Sequence, residues 1–366
     1  MSASELRELA EAVRADAELL ADDLEMLADA YPAPCPDLPP PSMPPRLPDV
    51  RAIFDHGGEW GTRDEWSKAL NRAPMRRSLW TGALSIEKQR EWVANFVAGV
   101  EIDDGKTVYV VGVSPFPAGV YDQTTLKAHY AAVGNLLVRF TPAQRARVFL
   151  RFGWEPNGDW YPHSFAPKGG AVEEARIVRY LWAWEQFRLA VPYGINLVLN
   201  FSGEGARKDP ALFQRVAEEV RPDVVSIDAY PMWANRSGWQ PQEDCFSVAR
   251  AVARDLNVPW AVDEWSPFVD KVTGGVQRGN LDGRVAVESM LGAYHYVQQA
   301  RLDGDAPLWV QCFERTSAEG KFAVLSVQQA TPATAQNSYR SAGGAIRTSY
   351  APRVAQVMVS LLGNPA

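Results

Sequence analysis

The sequence predicts an α/β protein built on a (β/α)8 TIM barrel, with a helical extension at its N-terminus. Three observations carry that prediction. From residue 49 onward, short β-rich runs alternate with amphipathic helical stretches, the order that parallel strands joined by helical crossovers require. Acidic, aromatic and polar residues gather just after most of the runs, where a barrel keeps its functional rim. No GxGxxG follows the first run, which weakens the rival reading of an open, doubly wound sheet with a dinucleotide site.

The elements follow in order. From Leu6 to Tyr31 the apolar positions Leu6, Ala10, Val13, Ala17, Leu20, Leu24, Leu27 and Tyr31 recur at spacings of four and three, a heptad pattern on a single helix over residues 1–31. Such a narrow seam suits docking onto the rest of the chain or self-association as a coiled coil, and alanine at 10 and 17 weakens the second. Nine of the 27 prolines fall between Pro32 and Pro48, so residues 32–48 read as a semi-rigid linker. Residues 49–366 then form the barrel. The expected strands are Val50–Phe54, Arg77–Trp80, Thr107–Val113, Val148–Phe152, Asn196–Phe201, Val224–Asp228, Trp260–Asp263 and Leu308–Phe313. Between them, helices are expected at Ser85–Val100, Thr124–Phe140, Glu173–Leu189, Pro210–Val220, Phe246–Leu256 and Arg284–Arg301, with a last one at Ala351–Leu362.

Composition excludes several classes of function. A net charge of -7 without any Lys/Arg run argues against a nucleic-acid surface, and no apolar run is long enough for a membrane span. The acidic start MSASELRELAEAVRADAELLADD is not a secretory signal, so the expected location is the cytoplasm or release by lysis, as for a phage-borne enzyme. Cys35, Cys245 and Cys312 lack the spacing of a zinc site or a disulfide framework. No metal and no cofactor are expected.

Two rim carboxylates stand out, Glu155 after the fourth run and Glu264 at the seventh, on nearly opposite strands. Such a pair can flank a glycosidic bond, although a rim salt bridge with Arg151 is the competing reading of Glu155. Sugars present flat C–H faces, and a cleft for them needs aromatic rings edged by polar groups. Several of the 13 tryptophans, Trp80, Trp154, Trp160, Trp233, Trp265 and Trp309, fall at or just beyond strand ends. Asp55, His56, Asp228, Gln311 and Glu314 are further candidates for binding hydroxyls. Aromatic walls would desolvate Glu155 and keep it protonated, while Glu264 stays ionised. Strict strand alternation admits only one of Asp263 and Glu264 to the mouth.

The segment RFGWEPNGDWY, from Arg151 to Tyr161, resembles the acid/base motif of glycoside hydrolase family 26, the β-mannanase family of clan A retaining barrels. Arg151, Glu155, Asn157, Gly158 and Trp160 match that motif, and Trp154 stands where the family has histidine. DVVSIDAYP, from Asp223 to Pro231, resembles the family's sixth strand, with Tyr230 as the tyrosine that contacts the nucleophile. PWAVDEWSP is similar to its seventh, with Glu264 as the nucleophile. The resemblance implies a retaining, endo-acting β-glycoside hydrolase with Glu155 as acid/base and an oligo- or polysaccharide substrate, a mannan or a bacterial cell-envelope glycan. It also implies that Arg151, Asn157, Trp160 and Tyr230 line the substrate site; Trp154, Trp265, Trp309, Asp228, His56 and Asp55 are expected to join them from their places at or beside strand ends. A non-catalytic carbohydrate-binding or virion barrel is the alternative, supported by Trp154.

Overall fold

A computed structural model describes residues 54–58, 76–81, 84–101, 105, 107–229, 245–265 and 284–314. The chain divides into two compact units, Met1–Arg46 and Leu47–Ala366. The expected N-terminal helix, the linker and the last helix lie outside the described residues.

The second unit carries one parallel sheet of eight strands in the order β1-β8-β7-β6-β5-β4-β3-β2. The strands are β1 (Phe54–Gly58), β2 (Arg76–Trp80), β3 (Val108–Val113), β4 (Val148–Trp154), β5 (Asn196–Ser202), β6 (Val224–Ala229), β7 (Trp260–Trp265) and β8 (Pro307–Glu314). At the remaining seam β1 and β2 lie alongside each other, and the sheet curls into a (β/α)8 barrel. Helices follow the strands: α1 (Ile86–Glu101), α2 (Gln123–Leu137), α3 (Pro142–Arg145), α4 (Glu174–Ala190), α5 (Gly203–Lys208), α6 (Pro210–Val220), α7 (Ser247–Leu256) and α8 (Arg284–Leu302).

Period-two alternation sorts each strand into outward and inward residues. Outward residues such as Val111, Phe152, Leu199, Ile227 and Val262 form one continuous core with the helices. Within it Phe152 stacks on Phe187 of α4 at 4.1 Å between ring centroids. Truncating a ring buried this completely costs about 3–5 kcal/mol. Gly134 lets α2 close against α4, because a Cβ there would stand 2.1 Å from the Ala190 carbonyl oxygen. Inward residues at the lower level, Val110, Val198, Val224, Ala261 and Trp309, make a small apolar plug.

One register step higher the barrel interior turns polar. Asn200, Ser226, Asp263 and Gln311 stand two residues above the plug residues on their strands, Arg151 stands two above Phe149, which packs against the plug, and all five are buried. That polar layer is the floor of the mouth.

Several expected strand ends move: β4 runs on to Trp154 and β7 to Trp265, which takes Glu264 into the strand. β1 spans Phe54–Gly58 because Gly57 and Gly58 continue the ladder against Phe313 and Glu314. Asp55 and His56 therefore belong to the strand and do not follow it. The short helix α5, unforeseen in the sequence, begins directly at the end of β5.

A candidate active site at the mouth of the barrel

Glu155 reaches the mouth through a local break in β4. The pairing of Arg151 with Val198 and of Trp154 with Asn200 sets three steps of β4 against two of β5, a β-bulge. Gly153 sits in the bulge at φ +77, and a Cβ there would come within 2.8 Å of the Pro115 ring. Glu155 itself is held at φ +48, a conformation that side-chain-bearing residues rarely adopt. Asn200 secures it, accepting the Glu155 N–H on its carbonyl oxygen at 3.1 Å and on its side-chain Oδ1 at 3.2 Å. The indole Nε1 of Trp160 donates to Glu155 Oε2 at 3.1 Å.

Glu264 arrives by a second bulge. Ile227 pairs with Val262, but Asp228 pairs with Glu264, so Asp263 is the extra residue on β7. The expectation that only one of the two acids faces inward is corrected here, because the inserted residue breaks the alternation and turns both side chains toward Arg151. The Arg151 guanidinium, fully buried, donates from both terminal nitrogens to Glu264 Oε1, at 3.2 and 3.3 Å. It also donates to Asp228 Oδ1 at 3.3 Å and lies 3.8 Å from Asp263 Oδ2. The Asp263 carboxylate further accepts from Ser226 Oγ at 2.6 Å and from Trp309 Nε1 at 2.8 Å.

The electrostatics follow from this crowding. Burial opposes the charge on Arg151, yet Asp228, Asp263 and Glu264 together raise its pKa above the ordinary value. Burial, then the Glu264 charge, pushes Asp228 well above the usual carboxylate range, against the pull of Arg151; Glu155 and Asp263 also push upward. Burial raises Asp263 too, opposed by Arg151, Ser226 and Trp309. The phenol of Tyr161 is raised by burial and then by the charges of Glu155 and Glu264.

Several expected ligand-facing residues turn out to be internal supports. Trp309 is in the barrel plug and holds Asp263. Trp265 returns to the outward side after the bulge and is buried in the core against the helices. Arg151 and Asp228 are buried beneath the mouth and bind carboxylates and Asn200. Asn157 ties the loop after β4 to the end of β5, accepting from Ser202 N at 2.8 Å and donating to Ser202 O at 3.0 Å. Trp154 is 4% exposed and packs edge-on against Tyr161 and His163. Among the expected binding tryptophans with described side chains, Trp160, 53% exposed, alone keeps a broad open surface. The side chains of Asp55, His56, Trp80, Tyr230, Trp233, Cys312 and Glu314 lie outside the described residues.

Asn200, Ser226 and Tyr161 were not singled out by the sequence reading. Asn200 and Ser226 were legible as polar residues flanked by apolar ones on both sides within strands, in NLVLNFS and VVSIDA. His163 stacks on Tyr161, and its Nε2 meets the Trp154 carbonyl at 2.7 Å. Its pKa is lowered to about 4 by burial, which outweighs that hydrogen bond. Among the described residues no group of His, Cys, Asp and Glu is arranged to hold a metal ion. The acids converge on a guanidinium instead. No helix among the described residues is long and apolar enough to cross a membrane.

No protein-family profile matches the chain, and no curated protein is similar to it in sequence. Solved structures are similar in fold. A double mutant of the endo-β-1,4-mannanase of Cellulomonas fimi superposes with a TM-score of 0.50 at 14% identity, over 81% of this chain and 70% of that one. A structure of the modular endo-β-1,4-mannanase of the same organism, described with the family 26 mannanases, gives 0.50 at 13% identity over 81% and 73%. The catalytic domain of a family 53 protein from Ignisphaera aggregans gives 0.45 at 14% identity over 75% and 87%.

Proposed function

On a fold shared with glycoside hydrolases, we propose that this chain is a retaining, endo-acting β-glycoside hydrolase, with Glu155 as acid/base and Glu264 as nucleophile. One observation carries the reading: two glutamates, delivered by separate β-bulges at the ends of β4 and β7, share one mouth, and only Glu264 is gripped by the buried Arg151. Charge-assisted hydrogen bonds from Arg151 favour the ionised form that a nucleophile needs. Glu155 takes a neutral indole N–H from Trp160, which suits a group that must hold and then give a proton.

In the first step Glu155 protonates the leaving oxygen as the C–O bond breaks and a Glu264 oxygen bonds the anomeric carbon. In the second, Glu155 takes a proton from water, which attacks the same carbon and frees Glu264. The exposed Trp160 offers a stacking face beside the bond to be cut. Mannans and bacterial cell-envelope glycans are the substrate classes we favour, supported by the motif around Glu155 and by the mannanase neighbours.

The test is a panel of mannans, xylans, β-glucans and purified cell-envelope glycans, assayed for new reducing ends, with proton NMR of the first anomer formed. Release of oligosaccharides with retained configuration is expected. Binding without any new reducing ends, by a folded protein, would leave a carbohydrate-binding barrel instead, and a first product of inverted configuration would exclude Glu264 as nucleophile.

A further inference from the structure

Among the described residues, the floor of the mouth holds more acid than its one cation, Arg151, balances. Arg151 is in reach of three carboxyl groups, those of Glu264, Asp228 and Asp263, whose side chains are 8%, 1% and 0% exposed. Three anions around one guanidinium would leave two uncompensated negative charges in a nearly dry site; one proton cuts that excess to a single charge, which the donors on Glu264 and Asp263 stabilise. A buried charge without a partner is costly enough that the group neutralises instead. One of the three therefore carries a proton, and the hydrogen bonds indicate which.

Asp263 accepts on both oxygens. Trp309 Nε1, which can only donate, is 2.8 Å from Oδ1. Ser226 Oγ accepts from Asn200 Nδ2 at 3.1 Å, which leaves its own hydrogen for Asp263 Oδ2 at 2.6 Å. Glu264 Oε1 takes two Arg151 N–H groups. Asp228 is lopsided. Its Oδ1 accepts from Asn200 Nδ2 at 2.9 Å and from Arg151 at 3.3 Å, whereas its Oδ2 is buried and has no hydrogen-bond partner. A bare carboxylate oxygen in that position is unfavourable, and a hydroxyl is much less so. The charged groups facing Asp228 are Arg151 and Glu155 from the β4 side and Asp263 and Glu264 from β7, so anions outnumber the cation. Asp228 also stands opposite Glu264 in the ladder of β6 and β7, and both accept from the same Arg151 nitrogen.

We propose that Asp228 is a proton-holding partner of Glu264: a neutral acid while Glu264 is ionised, and a carboxylate once Glu264 has lost its charge to a glycosyl bond. The second half rests on the function proposed above; the first half does not. When a Glu264 oxygen bonds the anomeric carbon, its carboxylate becomes a neutral ester and Arg151 loses an anion. Asp228 then releases its Oδ2 proton to water at the mouth and supplies the missing charge. Hydrolysis of the ester restores the Glu264 carboxylate, and Asp228 takes a proton back. The count of anions around Arg151 stays constant through the cycle. Asp228 acts through Arg151 and Glu264 and is thus a positioning residue.

The test has two arms. In the first, the free protein is labelled with 13C-carboxyl aspartate, and its infrared spectrum at pH 7 is compared with that of Asp228→Asn, or of Asp228→Ser should the first variant not fold. A protonated-carboxyl band present in the wild type and missing from the variant is expected. Its absence from the wild type overturns the proposal and leaves the hydrolase reading standing. In the second arm, an activated aryl 2-fluoro-glycoside, whose phenol departs as phenolate, is used to trap the ester. Because Glu155 is the same in both proteins and need not give a proton to that leaving group, each adduct on Glu264 should release close to one proton more in the wild type than in Asp228→Asn. Equal proton release from the two adducts overturns the charge exchange. If no adduct forms and no glycan is cut, the hydrolase reading fails together with the exchange, while the infrared band still decides whether Asp228 holds the proton.

Discussion

Trp160 does two things for Glu155, and a single substitution separates them. Its ring offers a face to a ligand, and its Nε1–H fixes Glu155 Oε2 at 3.1 Å. Trp160→Phe keeps most of the ring and removes the donor. Because the ring is half exposed, we expect a loss of roughly tenfold in kcat/KM, equal to about 1.4 kcal/mol of barrier, on substrates with poor leaving groups and little loss on activated aryl glycosides. Equal losses on both would assign Trp160 to binding alone. His163 and His129 bear on stability instead. Burial lowers both to about 4 from an ordinary 6.5, so below pH 6.5 the unfolded chain binds protons that the folded one does not. Folding stability should accordingly fall as the pH drops from about 6.5 to about 4, and the fall should be shallower in His163→Gln; chemical denaturation at a series of pH values measures it. Asp228 has the opposite sign. Its raised pKa makes the folded state the better proton binder above the ordinary value of 3.8, so wild-type stability should decline relative to Asp228→Asn as the pH rises from there.

At the scale of elements, the two β-bulges are what bring the acids into the mouth. Gly153→Ala tests the first. It forces a side chain onto φ +77 and against the Pro115 ring, a strain of about 1–3 kcal/mol. The variant should melt several degrees lower and lose kcat through displacement of Glu155, while Gly169→Ala, at φ +71 but with nothing within 4 Å, should leave kcat unchanged. The strands themselves were legible, because β-rich runs between amphipathic helices have few other arrangements. The bulges were not. An inserted residue leaves no mark on an apolar pattern, and strict alternation accordingly admitted only one of Asp263 and Glu264 to the mouth. The tryptophans misled for a related reason: a large ring at a strand end can face the mouth, the plug or the helices, and only register decides. The sequence reading placed Trp309 at the rim, and register places it in the plug beneath Asp263.

Across the whole molecule, the polar floor around Arg151 ties four strands together, β4, β5, β6 and β7, and positions the acids that the proposed chemistry uses. Its logic was partly visible in the sequence, since Glu155 and Glu264 were marked by strand position and by motif. The proton count was not, because it depends on which carboxyl oxygens lack a donor. The segment before the barrel is proposed to serve docking or self-association and not chemistry. Deleting residues 1–48 should leave specific activity on a soluble oligosaccharide within about threefold, under roughly 0.7 kcal/mol of barrier. The most direct test of the central claim is chemical rescue with azide on an activated aryl glycoside, with the configuration of the glycosyl azide read by NMR. Glu264→Ala should be inactive alone and give the inverted azide, whereas Glu155→Ala should still form the covalent intermediate and give the retained azide. Full hydrolysis by Glu264→Ala, or the same configuration from both variants, would contradict the assignment of Glu264 as nucleophile and Glu155 as acid/base.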